Sequence, residues 1–223
     1  MATQVYKTLS KVVGIILVLV GIGALIGGMF ANSFIKQQLS DQHIMFPPTE
    51  AIKAQVEAGR LTQADADAVS QYAGQRLENG DQAKVWSDNF VLAHMRGAAK
   101  AAGVPEDQAT YAGIGDLVTA AQKELTAKVK ADNPTADEKT VKALVGKEMA
   151  NPQSKYPEAV KAGQLQKLRI DTFLNGNTIR GMLLNAYGWG LVGKIANIAG
   201  IGLIVVGILL AAWGFVPSKK KNA

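Results

Sequence analysis

Two stretches decide the architecture: Val12 to Ile35, VVGIILVLVGIGALIGGMFANSFI, and Ile195 to Val216, IANIAGIGLIVVGILLAAWGFV. Neither contains a charged residue, and their 24 and 22 residues, as helix, reach about 33 to 36 Å against a hydrocarbon core about 30 Å thick. The chain reads as a two-span membrane protein with one span toward each end.

Charge orients the spans. Lys7 and Lys11 precede the first, Lys219, Lys220 and Lys221 follow the second, and neither tail holds an acid. That lysine bias is expected of cytoplasmic ends. Residues 1–11 and 217–223 are therefore read as cytoplasmic tails, 12–35 and 195–216 as transmembrane helices, and 36–194 as an extracytoplasmic domain. All 18 acids fall between Asp41 and Asp171, where 19 basic residues from Lys36 to Lys194 nearly balance them. The net charge of +6 thus sits mostly in the tails, and it describes topology and contact with anionic lipid, not a nucleic-acid surface.

A secretion signal is the competing reading of the first span. Its apolar run exceeds the about 7 to 15 residues of a signal core, and Gly28-Met29-Phe30-Ala31-Asn32 offers no A-x-A site, so cleavage is not expected. The chain has no cysteine, which excludes disulfides and thiolate chemistry. The domain between the spans must hold together by packing.

That domain reads as all-α. Alanine, lysine, glutamine, glutamate and leucine abound, and the alternating β-branched runs of strands are absent. Pro47-Pro48-Thr49 opens a first helix, and Thr62 caps a second expected to last until Asn79-Gly80. Asp81 to Ala102 forms a third, Pro105 starts a fourth through Leu125, and Asn133-Pro134 is expected to cap a fifth. A sixth runs from Pro157 to a break at Asn175-Gly176-Asn177, after which the chain re-enters helix toward the membrane. Each apolar stripe is one face wide, so the helices must share a core as a bundle. No internal repeat of fixed period is recognised.

Chemistry is hard to place on these residues. His43 and His94 are far apart in sequence and lie in no metal-ligand spacing, so no metal site, cofactor site or catalytic residue is assigned. Asp65 and Asp67 form a D-x-D, but in the first turn after Thr62 they suit the positive end of a helix dipole. Gly113-Ile114-Gly115-Asp116 follows no strand and makes no phosphate loop. The chain is not expected to be an enzyme.

The spans carry packing signals. Gly23 and Gly27 place small residues four apart on the first, and Ala196 and Gly200 do so on the second. No ionisable residue lies within either run, so the chain alone carries no proton relay or ion path. Phe46 after the first span, and Met182, Leu183, Tyr187 and Trp189 before the second, suit an interfacial aromatic belt or a docking surface.

Asp41-Gln42-His43-Ile44-Met45-Phe46-Pro47-Pro48, Tyr72-Ala73-Gly74-Gln75, Gly80-Asp81-Gln82-Ala83-Lys84 and Arg180-Gly181-Met182-Leu183-Leu184-Asn185-Ala186-Tyr187 together resemble a group of uncharacterised two-span membrane proteins of actinobacterial type. The resemblance implies the topology and an inner-membrane location, and it brings no activity. Two functions remain. The favoured one is an accessory or scaffold subunit of a larger inner-membrane assembly, respiratory or envelope-building, whose partners are the lipid bilayer and other integral membrane proteins, with a homo-oligomer as a further option and nucleic acid excluded. The alternative is an extracytoplasmic ligand-binding or sensor module, which would need a separate partner to pass a signal inward.

Overall fold

The computed structural model describes residues 2–216. Their regular structure is helical, apart from an isolated antiparallel bridge between Met45 and Arg76. The helices are α1 (Ala2–Ser40), α2 (Thr49–Glu57), α3 (Gln63–Ser70), α4 (Gly80–Val85), α5 (Leu92–Ala101), α6 (Tyr111–Asp132), α7 (Glu138–Met149), α8 (Pro157–Lys167) and α9 (Asn175–Phe215). Two π-helical segments, Trp86–Val91 and Leu168–Leu174, join α4 to α5 and α8 to α9. The break expected at Asn175-Gly176-Asn177 is absent: helix runs on from Pro157 to Phe215. Gly176 serves packing there, since a Cβ on it would lie 2.5 Å from the Met95 sulfur.

The chain forms two compact units. One comprises α1 with the residues through Met45, Gln75–Lys84, and α9 from Leu184 on; the other comprises Phe46–Gly74 and Val85–Leu183.

In the first unit, α1 and α9 form an antiparallel hairpin in which backbone touches backbone. A Cβ added to Gly14 would lie 2.6 Å from the Gly207 carbonyl oxygen, and one added to Gly207 would lie 2.7 Å from that of Gly14. Gly21 and Gly200 face each other in the same way at 2.7 and 2.8 Å, and so do Gly28 and Gly193 at 2.8 and 3.2 Å. Gly214 extends the row against the Lys7 carbonyl. Glycine therefore recurs every seventh residue at the contact on both helices. Half-buried Leu17, Val18, Ala24 and Leu25 fill the intervening turns.

A period of seven, two turns at 3.5 residues, is the coiled-coil repeat, with glycine at the position that sets the separation. Without a side chain there, the helices come close enough for dispersion and Cα–H···O contacts to act along the seam. The outward faces keep their apolar side chains exposed: Ile16, Leu19, Ile26, Ile198, Ile201 and Leu209 are all uncovered. Both helices are long and apolar enough to cross a membrane. At one end, the Lys7 ammonium donates to the Val216 carbonyl at 2.6 Å, and Lys11 lies over the Phe215 ring at 4.6 Å. Lys219, Lys220 and Lys221 lie outside the described residues.

The second unit is a helical body built on α6 and α8. Ile114 and Val118 of α6 join Met95 and Ala99 of α5, Leu165 of α8, and Phe173 in one core cluster. Leu125 and Val129 join Val141 and Val145 of α7, Tyr156 and Ala159 in a second. Each large side chain buried in this way contributes about 1.5 to 3 kcal/mol. Thr62 caps α3 as expected, its hydroxyl accepting from the Asp65 N–H. For α7 the cap is Asp137, which accepts from the Thr140 N–H at 2.7 Å. Asn133 instead closes α6, donating to the Val129 carbonyl at 2.8 Å.

Both π-segments are tied down by arginine. The Ser87 carbonyl, taken by the Leu92 N–H five residues on, also accepts from Arg180 Nε at 3.2 Å, and Arg180 pairs with Asp88 at 3.2 Å. Arg169 of the second segment stacks on Tyr111 at 4.3 Å and donates to its carbonyl. Gly115 makes room for that guanidinium, which would lie 2.9 Å from a Cβ there.

Two predictions follow from these contacts. Gly21→Leu with Gly200→Leu is expected to force the hairpin apart at a cost on the order of 1 to 3 kcal/mol, while Gly23→Leu is silent, both read by denaturation in detergent. The second concerns acid. Lys155 and Tyr156 donate to Asp132, and Lys128 donates to Glu158, holding both carboxyls below their ordinary values. A lowered carboxyl pKa stabilises above the ordinary value of about 4 and ceases to do so as pH falls through the folded one. The body's melting temperature is therefore expected to drop on acidification below about pH 4, and less steeply in Asp132→Asn.

Candidate functional site

The polar end of the hairpin carries a collar built by the short helix α4. Asn79 and Gln82 start that helix with a reciprocal cap: Asn79 Oδ1 accepts from the Gln82 N–H at 3.0 Å, and Gln82 Oε1 accepts from the Glu78 and Asn79 N–H groups at 2.7 and 3.2 Å. Gln82 is buried, so this cap is fixed. Gly80 then presses on α9, where a Cβ would meet Tyr187 Cα at 3.1 Å, and Gly190 faces Gly80 Cα at 3.3 Å. These close approaches place Glu78 and Asp81 beside the two helices.

Two ion pairs form there. Lys36 of α1 meets Glu78 at 3.2 Å, and Lys194 of α9 meets Asp81. With Asn32 and Ile35 these groups line a cavity of about 370 Å³. Lys194 follows Gly193, which faces Gly28, whereas Lys36 lies eight residues beyond Gly28. The helices are antiparallel, so these offsets add, and at about 1.5 Å per residue the backbones of the two lysines stand roughly 13.5 Å apart along the hairpin axis. The Lys194 backbone thus lies at the start of the uncharged run of α9 and that of Lys36 lies above it, while Glu78 and Asp81 sit together at the start of α4.

Deeper in the seam are two amides. Asn32 lies against Gly193 and Asn197 against Gly28, each over the glycine of the opposite helix. The Asn197 Oδ1 atom is buried without a hydrogen-bond partner. A buried unpaired acceptor costs about 1 to 3 kcal/mol, part of which the neighbouring Gly28 Cα–H offsets.

The residues singled out by sequence fall in several places. Gly200 is in the seam and Ala196 is half-buried beside it, but Gly23 and Gly27 are exposed, and a Cβ on either would meet nothing within 4 Å. The close packing of this hairpin uses Gly14, Gly21 and Gly28 instead. Phe46 and Leu183 are corrected as docking residues: both are buried. Phe46 packs on Tyr72 and Trp86 with ring centroids at 5.3 and 5.0 Å, so it belongs to the body's own core. Tyr187 is half-buried with Lys84 over its ring at 5.7 Å. Met182 and Trp189 remain open at 69% and 58% exposure.

His43 is exposed, and its φ of 52° turns the chain after α1. His94 Nδ1 donates to the Phe90 carbonyl at 2.7 Å, with its ring packed on Phe90. Asp65 is taken up by Thr62 and Asn89, and Asp67 accepts from Gln63. Among the described residues, no three His, Cys, Asp or Glu side chains are placed to hold a metal ion. Asn79 and Gln82 were the legible signal for the collar, an N-x-x-Q cap, but nothing in the sequence brings that cap to α9.

Comparison with protein-family models, with curated proteins and with solved structures finds no match to this chain.

Proposed function

We propose that this chain is a non-catalytic accessory or scaffold subunit of a larger inner-membrane assembly, respiratory or envelope-building. Its two spans would pack on partner helices, and its helical body would dock outside the cytoplasm. The observation that supports this reading is the division of small and aromatic residues into two sets. One set is used up by the chain's own packing: the seam glycines, Phe46 and Leu183. The other is left uncovered: Gly23 and Gly27 on α1, and Met182 and Trp189 on α9. In a membrane, exposed small residues permit close approach by another helix, and an exposed tryptophan supplies the large contact area on which interface energy concentrates.

Topology follows from the lysines of the tails, with both termini cytoplasmic and the body extracytoplasmic. A cysteine at Ala101 is expected to react with a membrane-impermeant thiol reagent in intact cells, and one at Thr8 is not. The reverse pattern contradicts the topology.

Partner contact is tested by gentle extraction and co-purification. Gly23→Leu with Gly27→Leu, or Trp189→Ala, should strip partner proteins from the purified chain while its helicity and melting temperature stay unchanged, with each true contact worth on the order of 1 to 2 kcal/mol. If the same partners are retained by both variants, the scaffold reading fails.

A further inference from the structure

The collar cavity combines features that no packing role requires. It holds two lysines and two carboxylates, so its net charge is zero, and it is open: Lys36, Lys194 and Asp81 are roughly half or more exposed and Glu78 is at 36%. Exposed ion pairs of this kind cost little to open. Below it the uncharged runs of α1 and α9 continue as bare apolar surface, with Phe30, Ile195 and Ile198 exposed. A charge-balanced cavity at the hydrocarbon edge fits a ligand that is itself charge-balanced and carries acyl chains.

We propose that this cavity binds the headgroup of a zwitterionic phospholipid bearing a primary amine. The phosphodiester accepts from the lysine ammonium groups, and the headgroup ammonium donates to Glu78 and Asp81. The acyl chains lie on the exposed faces of the hairpin. One collar ion pair opened onto the lipid leaves no charge alone: its lysine gains the phosphate and its carboxylate gains the ammonium. An anionic headgroup would satisfy the lysines and leave both carboxylates facing like charge; a quaternary amine could not donate to the carboxylates at all.

The proposal rests on reading the two helices as spanning a bilayer, and the test separates the two claims. The full chain is reconstituted in nanodiscs and its insertion is checked by protease protection of the hairpin. Lipid binding is then titrated in detergent by native mass spectrometry with phosphatidylethanolamine, phosphatidylglycerol and phosphatidylcholine of identical chains, and with soluble phosphoethanolamine. The expected result is binding of phosphatidylethanolamine about tenfold tighter than either other lipid, and no competition from phosphoethanolamine at equal concentration. Glu78→Gln with Asp81→Asn should reverse the preference toward phosphatidylglycerol. Lys36→Gln with Lys194→Gln should weaken phosphatidylethanolamine about tenfold, and Lys7→Gln at the other end should change nothing. Failure of the hairpin to insert overturns the membrane reading. Insertion with equal binding of the three lipids, or preference unchanged in the variants, overturns the headgroup site alone and reduces the collar to a structural clamp. Equal competition by phosphoethanolamine overturns the lipid as ligand. The wild-type selectivity stands even where a variant fails to fold.

Discussion

The absence of a Cβ at six facing positions is the constraint on which the hairpin depends. Gly14, Gly21 and Gly28 meet Gly207, Gly200 and Gly193 so closely that any side chain would strike the opposite carbonyl oxygen. In a bilayer, helices that close would not gain from burying apolar side chains against one another, because lipid tails are as apolar as leucine. They gain from many weak contacts repeated every two turns, and those need a separation only glycine permits. The hairpin therefore spends its glycine on itself and leaves its leucines, isoleucines and valines for the surroundings. That distribution is the inverse of a water-soluble coiled coil, where the large residues occupy the seam.

The same logic reaches the polar end. Gly190 continues α9 beyond the seam and receives Gly80 of α4 where α1 has turned to Ile35 and Lys36. A residue with a side chain at Gly80 would hold α4 off the helix and carry Glu78 and Asp81 away from their lysines. Backbone approach thus places the charges. In the body, arginine takes the equivalent part: Arg180 holds the Ser87 carbonyl of one π-segment, and Arg169, lying in the other, reaches the Tyr111 carbonyl. π-Segments are local distortions whose retention requires such neighbours.

Much of the fold was legible in sequence because its signals are one-dimensional. Length and hydropathy mark the two helices able to span a membrane, and helical periodicity with Thr62 and Pro157 marks much of the body. What was not legible depends on a second segment. Asn175-Gly176-Asn177 has the composition of a break, yet it stays helical because Met95 sits on Gly176. Asn133-Pro134 has the composition of a cap, yet Asn133 ends α6 and Asp137 begins α7. In the spans, a search at four-residue spacing selects Gly23 and Gly27, whereas an antiparallel close-packed pair repeats at seven. So glycine-rich a helix satisfies both spacings at once. Phe46 illustrates the same limit: beside an apolar span it resembles an interfacial residue, and only its partners Tyr72 and Trp86 identify it as core.

Because the chain has no cysteine, the seam can be probed without background. The most direct measurement is oxidative cross-linking, in native membranes, of cysteine pairs at Val18 with Ile204 and at Leu25 with Asn197, which flank the seam and replace none of its glycines: Val18 lies on Gly207 and Ile204 on Gly21, Leu25 on Gly200 and Asn197 on Gly28. The account predicts rapid intrachain disulfide formation in both pairs and none between Gly23 and Gly202, whose added Cβ atoms would meet nothing. Cross-linking of Gly23 with Gly202, with the seam pairs unreactive, would contradict it.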